Sequence, residues 1–234
     1  LLVQTLCGVR SVLEEQQAQL IGGHTLESRS EPPHCPSLGV QLSLCVNGRS
    51  AAPWSKGGIA HGDVLLLSRP LGTGVLFAAA MAGACQPEAL DTVLQHMSRS
   101  QHRLLDQLEP HRQAIHACTD VTGFGLLGHL GEMLASSSPL RITLWTNRIP
   151  AYPEAMDRLG QGYASSLAPA NRRSWQWLDG LIQLDDSPSQ ALLELLVDPQ
   201  TCGPLLLACP ETTAQTLTAE GPWIPIGNAT ADHG

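Results

Sequence analysis

The feature that most constrains this chain is a β-type stretch, Ala114 to Cys118, that runs into Thr119-Asp120-Val121-Thr122-Gly123-Phe124-Gly125 and then into a helical pattern from Leu126 to Leu134. A strand that turns through glycines into a helix exposes several N–H groups at the positive end of that helix, which favours a phosphate. Asp120 complicates the turn. A carboxylate aimed at a phosphate repels it unless a cation lies between, and Mg²⁺ commonly joins one or two carboxylates to phosphate oxygens. Asp120 therefore reads as a metal ligand, and the amides of Gly123 and Gly125 as the adjacent anion cradle. The plainer alternative is that Asp120 and Thr122 only cap the helix.

Gly123-Phe124-Gly125-Leu126-Leu127-Gly128 also satisfies G-x-G-x-x-G, the pattern of dinucleotide-binding turns. A nicotinamide site wants an acidic residue about 20 positions further on. Trp145, Thr146, Asn147 and Arg148 stand there instead. Arg148 could serve a 2′-phosphate, but Asp120 would then face a pyrophosphate without an evident metal, so nicotinamide binding is the weaker reading.

Strands and helices alternate along the rest of the chain without an internal repeat, which places it in the α/β or α+β class. Residues 5–17 put Leu6, Val9, Val12 and Leu13 on one helical face and Glu14, Glu15, Gln16 and Gln17 on the other. Gln19-Leu20-Ile21 reads as a short strand stopped by Gly22-Gly23. Strict alternation from Leu38 to Asn47 predicts a half-buried strand, and the apolar run Val64 to Leu67 a buried one. Helical spacing predicts a small-residue helix after Leu71-Gly72-Thr73-Gly74 and one long helix over 88–108, ended by Pro110. Further strands are expected at Arg141–Trp145, Pro204–Ala208 and Trp223–Ile226, with helices at Pro153–Leu159, Gln190–Leu196 and Glu211–Ala219. Ala164–Asp186 reads as mostly irregular.

A length of 234 residues suits one large domain, or one domain plus part of another. No apolar run approaches the roughly 18 residues that cross a bilayer, so no membrane partner is expected. The net charge is −8, and Arg10, Arg49, Arg69, Arg99 and Arg103 are scattered, which argues against nucleic acid. An anionic ligand is then held by backbone amides or a metal. Seven cysteines without C-x-x-C spacing fit neither a zinc knuckle nor a disulfide framework and favour a reducing cytosol. Leu1-Leu2-Val3-Gln4-Thr5 has no basic segment and no initiating Met, so an upstream segment is expected.

Other glycine corners are less specific. In Leu20-Ile21-Gly22-Gly23-His24-Thr25 the glycines let backbone approach a ligand and Thr25 offers a hydroxyl. Leu71-Gly72-Thr73-Gly74 reads first as a helix entry. Asp198-Pro199-Gln200-Thr201-Cys202-Gly203 places a carboxylate and a hydroxyl at a turn before an apolar strand. Cys118 and Cys202 flank candidate loops without an identifiable base, so both read as small structural residues.

Taken together, Leu20–Thr25, Ser68-Arg-Pro-Leu-Gly-Thr-Gly74, Thr119-Asp-Val-Thr-Gly-Phe-Gly-Leu-Leu-Gly-His129 and Asp198-Pro-Gln-Thr201 occur in the order seen in selenophosphate synthetase, or selenide, water dikinase, and the chain resembles that family from its first helix to its end. Ala117-Cys118-Thr119-Asp120 and Glu132-Met133 echo its bacterial members fused behind a flavin-containing NADH dehydrogenase module. The resemblance implies an AIR-synthase-related fold, with residues 1–50 the end of a β-rich N-terminal half and 51–234 a complete C-terminal α/β half. It implies ATP and Mg²⁺ as cofactors, ATP and selenide as substrates, selenophosphate, AMP and orthophosphate as products, a homodimer through the N-terminal half, and a cytoplasmic location. Asp120 then matches a metal ligand, and Gly22, Gly23 and Thr25 match the ATP-phosphate loop.

Departures matter as much. The family's Gly-rich segment with its reactive Cys or selenocysteine and its Lys has no match, so no catalytic residue is assigned and the isolated chain is expected to be inactive. Gly203-Pro204 stands where the family has Gly-Gly, which removes an N–H. The alternatives are a non-catalytic paralogue or fusion module of the same fold, or another AIR-synthase relative such as the purine-pathway synthetase or thiamine-phosphate kinase.

Overall fold

The computed structural model describes residues 1–26, 42–50, 52–135, 137 and 140–231, with Asp179 as backbone alone. Two compact units result, Leu1–Pro53 and Trp54–Gly234. In the first, helix α1 (Leu2–Glu15) buries none of its side chains and ends where Gln17 takes a left-handed φ of 53°. The strand expected at Gln19–Ile21 is not formed. Of the strand expected at Leu38–Asn47, Leu38 to Gln41 lie outside the described residues, and Leu42 to Asn47 carry no strand. A strand exists only through ladder bonds to a neighbour. None is supplied here among the described residues, and Ile21, Leu44 and Val46 stay exposed.

The second unit is built on a six-stranded sheet. Its centre is β1 (Asp63–Leu67), where every residue is buried. In chain order β2 (Ala117–Asp120), β3 (Leu140–Leu144), β4 (Ile182–Leu184), β5 (Leu205–Pro210) and β6 (Ile224–Ala231) follow, and the spatial order is β2-β5-β1-β6-β3-β4. All neighbours are antiparallel except β3 and β4. The apolar run of β1 is explained by burial on both faces. Leu65 and Leu67 join Ala117, Leu206, Ala208 and Ile226 in one core, while Val64 and Leu66 join Leu207, Cys209 and Trp223 in another.

Each core has its own helices. α2 (Thr73–Met81), α3 (Pro87–Ser98), α5 (Gly125–Ala135), α6 (Ala155–Gly160) and α8 (Gln190–Val197) contribute to the first. α4 (His102–Leu108) and α9 (Glu211–Glu220) close the second with Leu108, Ala214 and Leu217. The single helix expected over 88–108 is two, α3 and α4, because Arg99 is extended (φ −90°, ψ 120°). The Arg69 guanidinium donates to the carbonyls of His96, Arg99 and Cys202, so a cation sits at the negative end of α3. The stretch read as irregular holds α7 (Ala168–Asn171), a 3₁₀ turn (Arg172–Asp179) and β4. Among the described residues no helix is long and apolar enough to cross a membrane.

Candidate functional site

Because β2 and β5 are antiparallel neighbours, with Asp120 opposite Leu205, the turn leaving β2 and the turn entering β5 lie at the same end of the sheet. They are joined directly. Val121 N–H donates to Pro204 O (2.8 Å), and Gln200 N–H donates to Thr122 O (2.9 Å). A Cβ on Gly203 would stand 2.0 Å from Val121 O, so this approach requires glycine. Pro204 contributes its carbonyl here, and it sits just before β5, where a missing N–H is tolerated.

The third loop to arrive is Leu71–Gly74. Helix α2 has no side-chain cap from its own first residues. Gln200 supplies one from far along the chain: its Oε1 accepts from Gly72 N–H (3.0 Å), Thr73 N–H (3.3 Å) and Thr73 Oγ1 (3.3 Å). Its Nε2 donates to Asp198 O and Oδ2 (2.8 and 2.9 Å), Asp198 Oδ2 accepts from Gly74 N–H (3.0 Å), and Thr201 N–H donates to Thr73 Oγ1 (2.9 Å). The loop is a helix entry whose orphan donors are met across the chain. Gln200→Ala strands these buried groups and is expected to lower unfolding free energy by about 1–3 kcal/mol. Urea denaturation checks this, and an unchanged midpoint with unchanged m would refute it.

Asp198 is 1% exposed, and its Oδ1 has no hydrogen-bond partner among the described residues. Burial pushes its carboxyl up to about 7, against the opposing pull of the α2 amides and Gln200. Asp120, by contrast, is exposed at the end of β2. One carboxylate is thus committed to the fold and the other faces outward.

Within the Thr119–Gly125 turn, Gly125 has a φ of 70°, donates its N–H to Thr122 O (3.1 Å), and packs against the backbone of Val197. Gly123 O accepts from Asn171 Nδ2 (2.7 Å), which also donates to Val197 O (3.0 Å). Among the described residues the N–H groups of Gly123 and Phe124 make no hydrogen bond. Of the two glycine amides expected to cradle an anion, Gly125's serves the turn and Gly123's is open. A cleft of about 510 Å³ lies at this junction, lined by Gly74, Gly123, Gln200 and Thr201 and flanked by Ser165 and Ser166. Gly22, Gly23 and Thr25 belong to the first unit, where they are exposed in a stretch without secondary structure.

Among the described residues no group of three or more His, Cys, Asp or Glu side chains is placed to hold a metal ion. The described residues thus form no all-protein metal cage, and Asp120 is the exposed carboxylate at the turn that a hard cation such as Mg²⁺ would meet together with phosphate oxygens and water.

Two of the cysteine thiols are held in their protonated, weakly nucleophilic form. Burial, reinforced by Asp120, pushes the Cys118 thiol up to about 11, and burial with Asp63 pushes Cys209 up to about 12. Alkylation of the native chain at pH 8 followed by mass spectrometry is expected to label exposed Cys7, Cys45 and Cys202 and to spare Cys118 and Cys209. Rapid labelling of Cys118 would contradict this burial.

Residues 60–234 match the model of the AIR synthase related protein, C-terminal domain. The chain belongs to this family. Its mixed sheet with helices is accordingly the AIR-synthase-related fold. Over 212 residues the chain is 34% identical to the selenide, water dikinase of Desulfitobacterium hafniense, covering 91% of this chain and 58% of that protein. Over 223 residues it is 31% identical to the selenide, water dikinase of Pelobacter propionicus, covering 90% and 59%. The chain thus spans less than two thirds of the length of these relatives. Among solved structures, the hydrogenase maturation protein HypE aligns with a TM-score of 0.49 at 20% identity, over 78% of this chain and 49% of that one. Thiamine monophosphate kinase from Aquifex aeolicus aligns with a TM-score of 0.49 at 13% identity, over 78% and 52%.

Proposed function

We propose that this chain is the C-terminal part of a selenide, water dikinase, with residues 51–234 its C-terminal half and 1–50 the end of the half before it. The carrying observation is the convergence of three family-like loops, Leu71–Gly74, Thr119–Gly125 and Asp198–Thr201, beside an exposed carboxylate and two open amides, in a chain 34% identical to a relative of that name. In this reading Asp120 is one ligand to Mg²⁺, the N–H groups of Gly123 and Phe124 receive a phosphate oxygen, and Gly22, Gly23 and Thr25 match the family's ATP-phosphate loop. Bound Mg²⁺ would neutralise charge that develops on the phosphates. The chain's own contribution is to hold Asp120 and the amides rigidly, which lowers the cost of organising them in the transition state.

The test uses the protein encoded with its upstream coding sequence, followed by ³¹P NMR with ATP and selenide. Selenophosphate, AMP and orthophosphate are expected from that protein and not from the 234-residue chain alone. Asp120→Ala is expected to weaken Mg-ATP binding at least tenfold, equivalent to about 1.4 kcal/mol, by titration calorimetry. Turnover of a purine or thiamine precursor instead of selenide would replace this reading with that of another enzyme of the fold. Absence of nucleotide binding in the longer protein would favour a non-catalytic module.

A further inference from the structure

Thr122 lies at the middle of the candidate loop, and its backbone N–H is not open: it donates to His129 Nε2 at 3.0 Å, with Thr122 Oγ1 3.2 Å from the same nitrogen. His129 sits one turn into α5, is 5% exposed, and has the Phe124 ring tilted beside it with centroids 5.8 Å apart. A backbone amide can only donate, so Nε2 carries a lone pair and the ring proton is on Nδ1. Nδ1 faces Glu132 Oε2 at 3.4 Å, beyond a good hydrogen bond, and Glu132 is in turn paired with Lys56 from the segment before β1.

We propose that His129 is the positioning residue of the Thr119–Gly125 loop, and that its neutral Nδ1–H tautomer, facing the Lys56–Glu132 pair, fixes Thr122 and through it the open amides of Gly123 and Phe124. The loop has three further ties from outside: Asn171 at Gly123 O and Gln200 at Thr122 O hold carbonyls, and Pro204 O holds the Val121 amide. Among the described residues the Thr122 amide is held by His129, a group that can change its charge.

The charged groups around the ring come from three elements. Glu132 on α5 and Asp120 at the end of β2 favour the imidazolium, while Lys56 opposes it. Burial is the largest influence, and it holds the imidazole below its ordinary value. The sign follows directly. The neutral form is the one the fold uses, so this contact is fully present above the ordinary imidazole range and is lost as pH falls through the lowered value, when Nε2 gains a proton and can no longer accept. The consequence for phosphate binding rests on the function proposed above. The lock itself does not.

Two measurements on the ligand-free 234-residue chain decide it. Long-range ¹H–¹⁵N spectra at pH 7.5 are expected to show His129 with its proton on Nδ1, and finding it on Nε2 would overturn the proposal whether or not any variant folds. Amide exchange at Thr122 is expected to be at least tenfold faster in His129→Leu, which removes the acceptor at similar volume, and near the wild-type rate in His129→Gln, whose Oε1 can replace Nε2. Exchange in wild type, corrected for the intrinsic pH effect, should accelerate as His129 protonates, and this step should vanish in His129→Gln. Equal Thr122 protection in the Leu and Gln variants would refute the lock. Neither readout uses nucleotide, so loss of Mg-ATP binding in Asp120→Ala and failure of the lock remain separable.

Discussion

Gly125→Ala is expected to lower unfolding free energy by about 2–5 kcal/mol, while Gly123→Ala, two residues away, should change it by less than about 0.5 kcal/mol. At Gly125 the φ of 70° costs a residue with a Cβ about 1–2 kcal/mol. That Cβ would also lie 2.7–2.8 Å from the backbone of Val197, which cannot swing aside, and overpacking adds about 1–3 kcal/mol. At Gly123 a Cβ meets nothing within 4 Å. Thermal denaturation of the two variants is the check, and equal stabilities would mean that the loop is not seated on Val197. The pair also separates roles. If Gly123 presents an amide to phosphate, its alanine variant should fold normally and still bind.

The contribution of Asp198 to stability should fall as pH rises toward 7, so the stability difference between wild type and Asp198→Asn should shrink over that range. Burial raises the folded-state value of Asp198 from 3.8 to about 7, so between those values the native state holds a proton that the unfolded chain has released. The resulting stabilisation is complete below about 3.8 and gone above about 7, changing by about 1.4 kcal/mol per pH unit and by roughly 4 kcal/mol at most over the window. Asn is isosteric with the neutral acid and can still accept from Gly74 N–H. The carboxylates Glu109, Glu154 and Asp185, held low by Arg112, by Arg158 and by the backbone at Thr146, and the imidazoles of His96 and His129, held low by burial, act in the opposite sense. They are common to both proteins and cancel in the difference. Parallel urea midpoints for wild type and Asp198→Asn from pH 5 to 8 would show that Asp198 is not held neutral.

Most of the second unit was legible because its signals are local. The apolar run of β1, the helix after Gly125, and the helix expected at Gln190–Leu196 need no distant partner to be recognised. Strands that exist only by pairing were harder. β4 is three residues long and becomes a strand by lying parallel to β3, which nothing in Ile182-Gln183-Leu184 announces. Conversely, the alternation from Leu42 to Asn47 is a strand signal without a partner among the described residues. The break between α3 and α4 depends on Arg69, some thirty residues earlier, reaching the α3 carbonyls.

The site divides in the same way. The glycine turn and Asp120 could be picked out by residue type and spacing, and so could the carboxylate at Asp198. Their division of labour could not, because it depends on burial: Asp198 disappears beneath α2 and Asp120 does not. Asn171 gave no signal, since it lies in a stretch with no pattern and acts through two carbonyls remote in sequence.

Gln200 touches Thr73 through its side chain and Thr122 through its backbone, so one residue belongs to the packing of all three loops. Free-energy effects of substitutions in these loops should therefore not add, even between positions more than a hundred residues apart in sequence. Pairs such as Thr73→Val with Gln200→Ala should lose less together than the sum of their separate losses, since the second removes a partner already gone. Relatives that differ at one loop would then be expected to tolerate changes at another that this chain does not, and a single-site scan of any one loop would misjudge what that loop alone contributes.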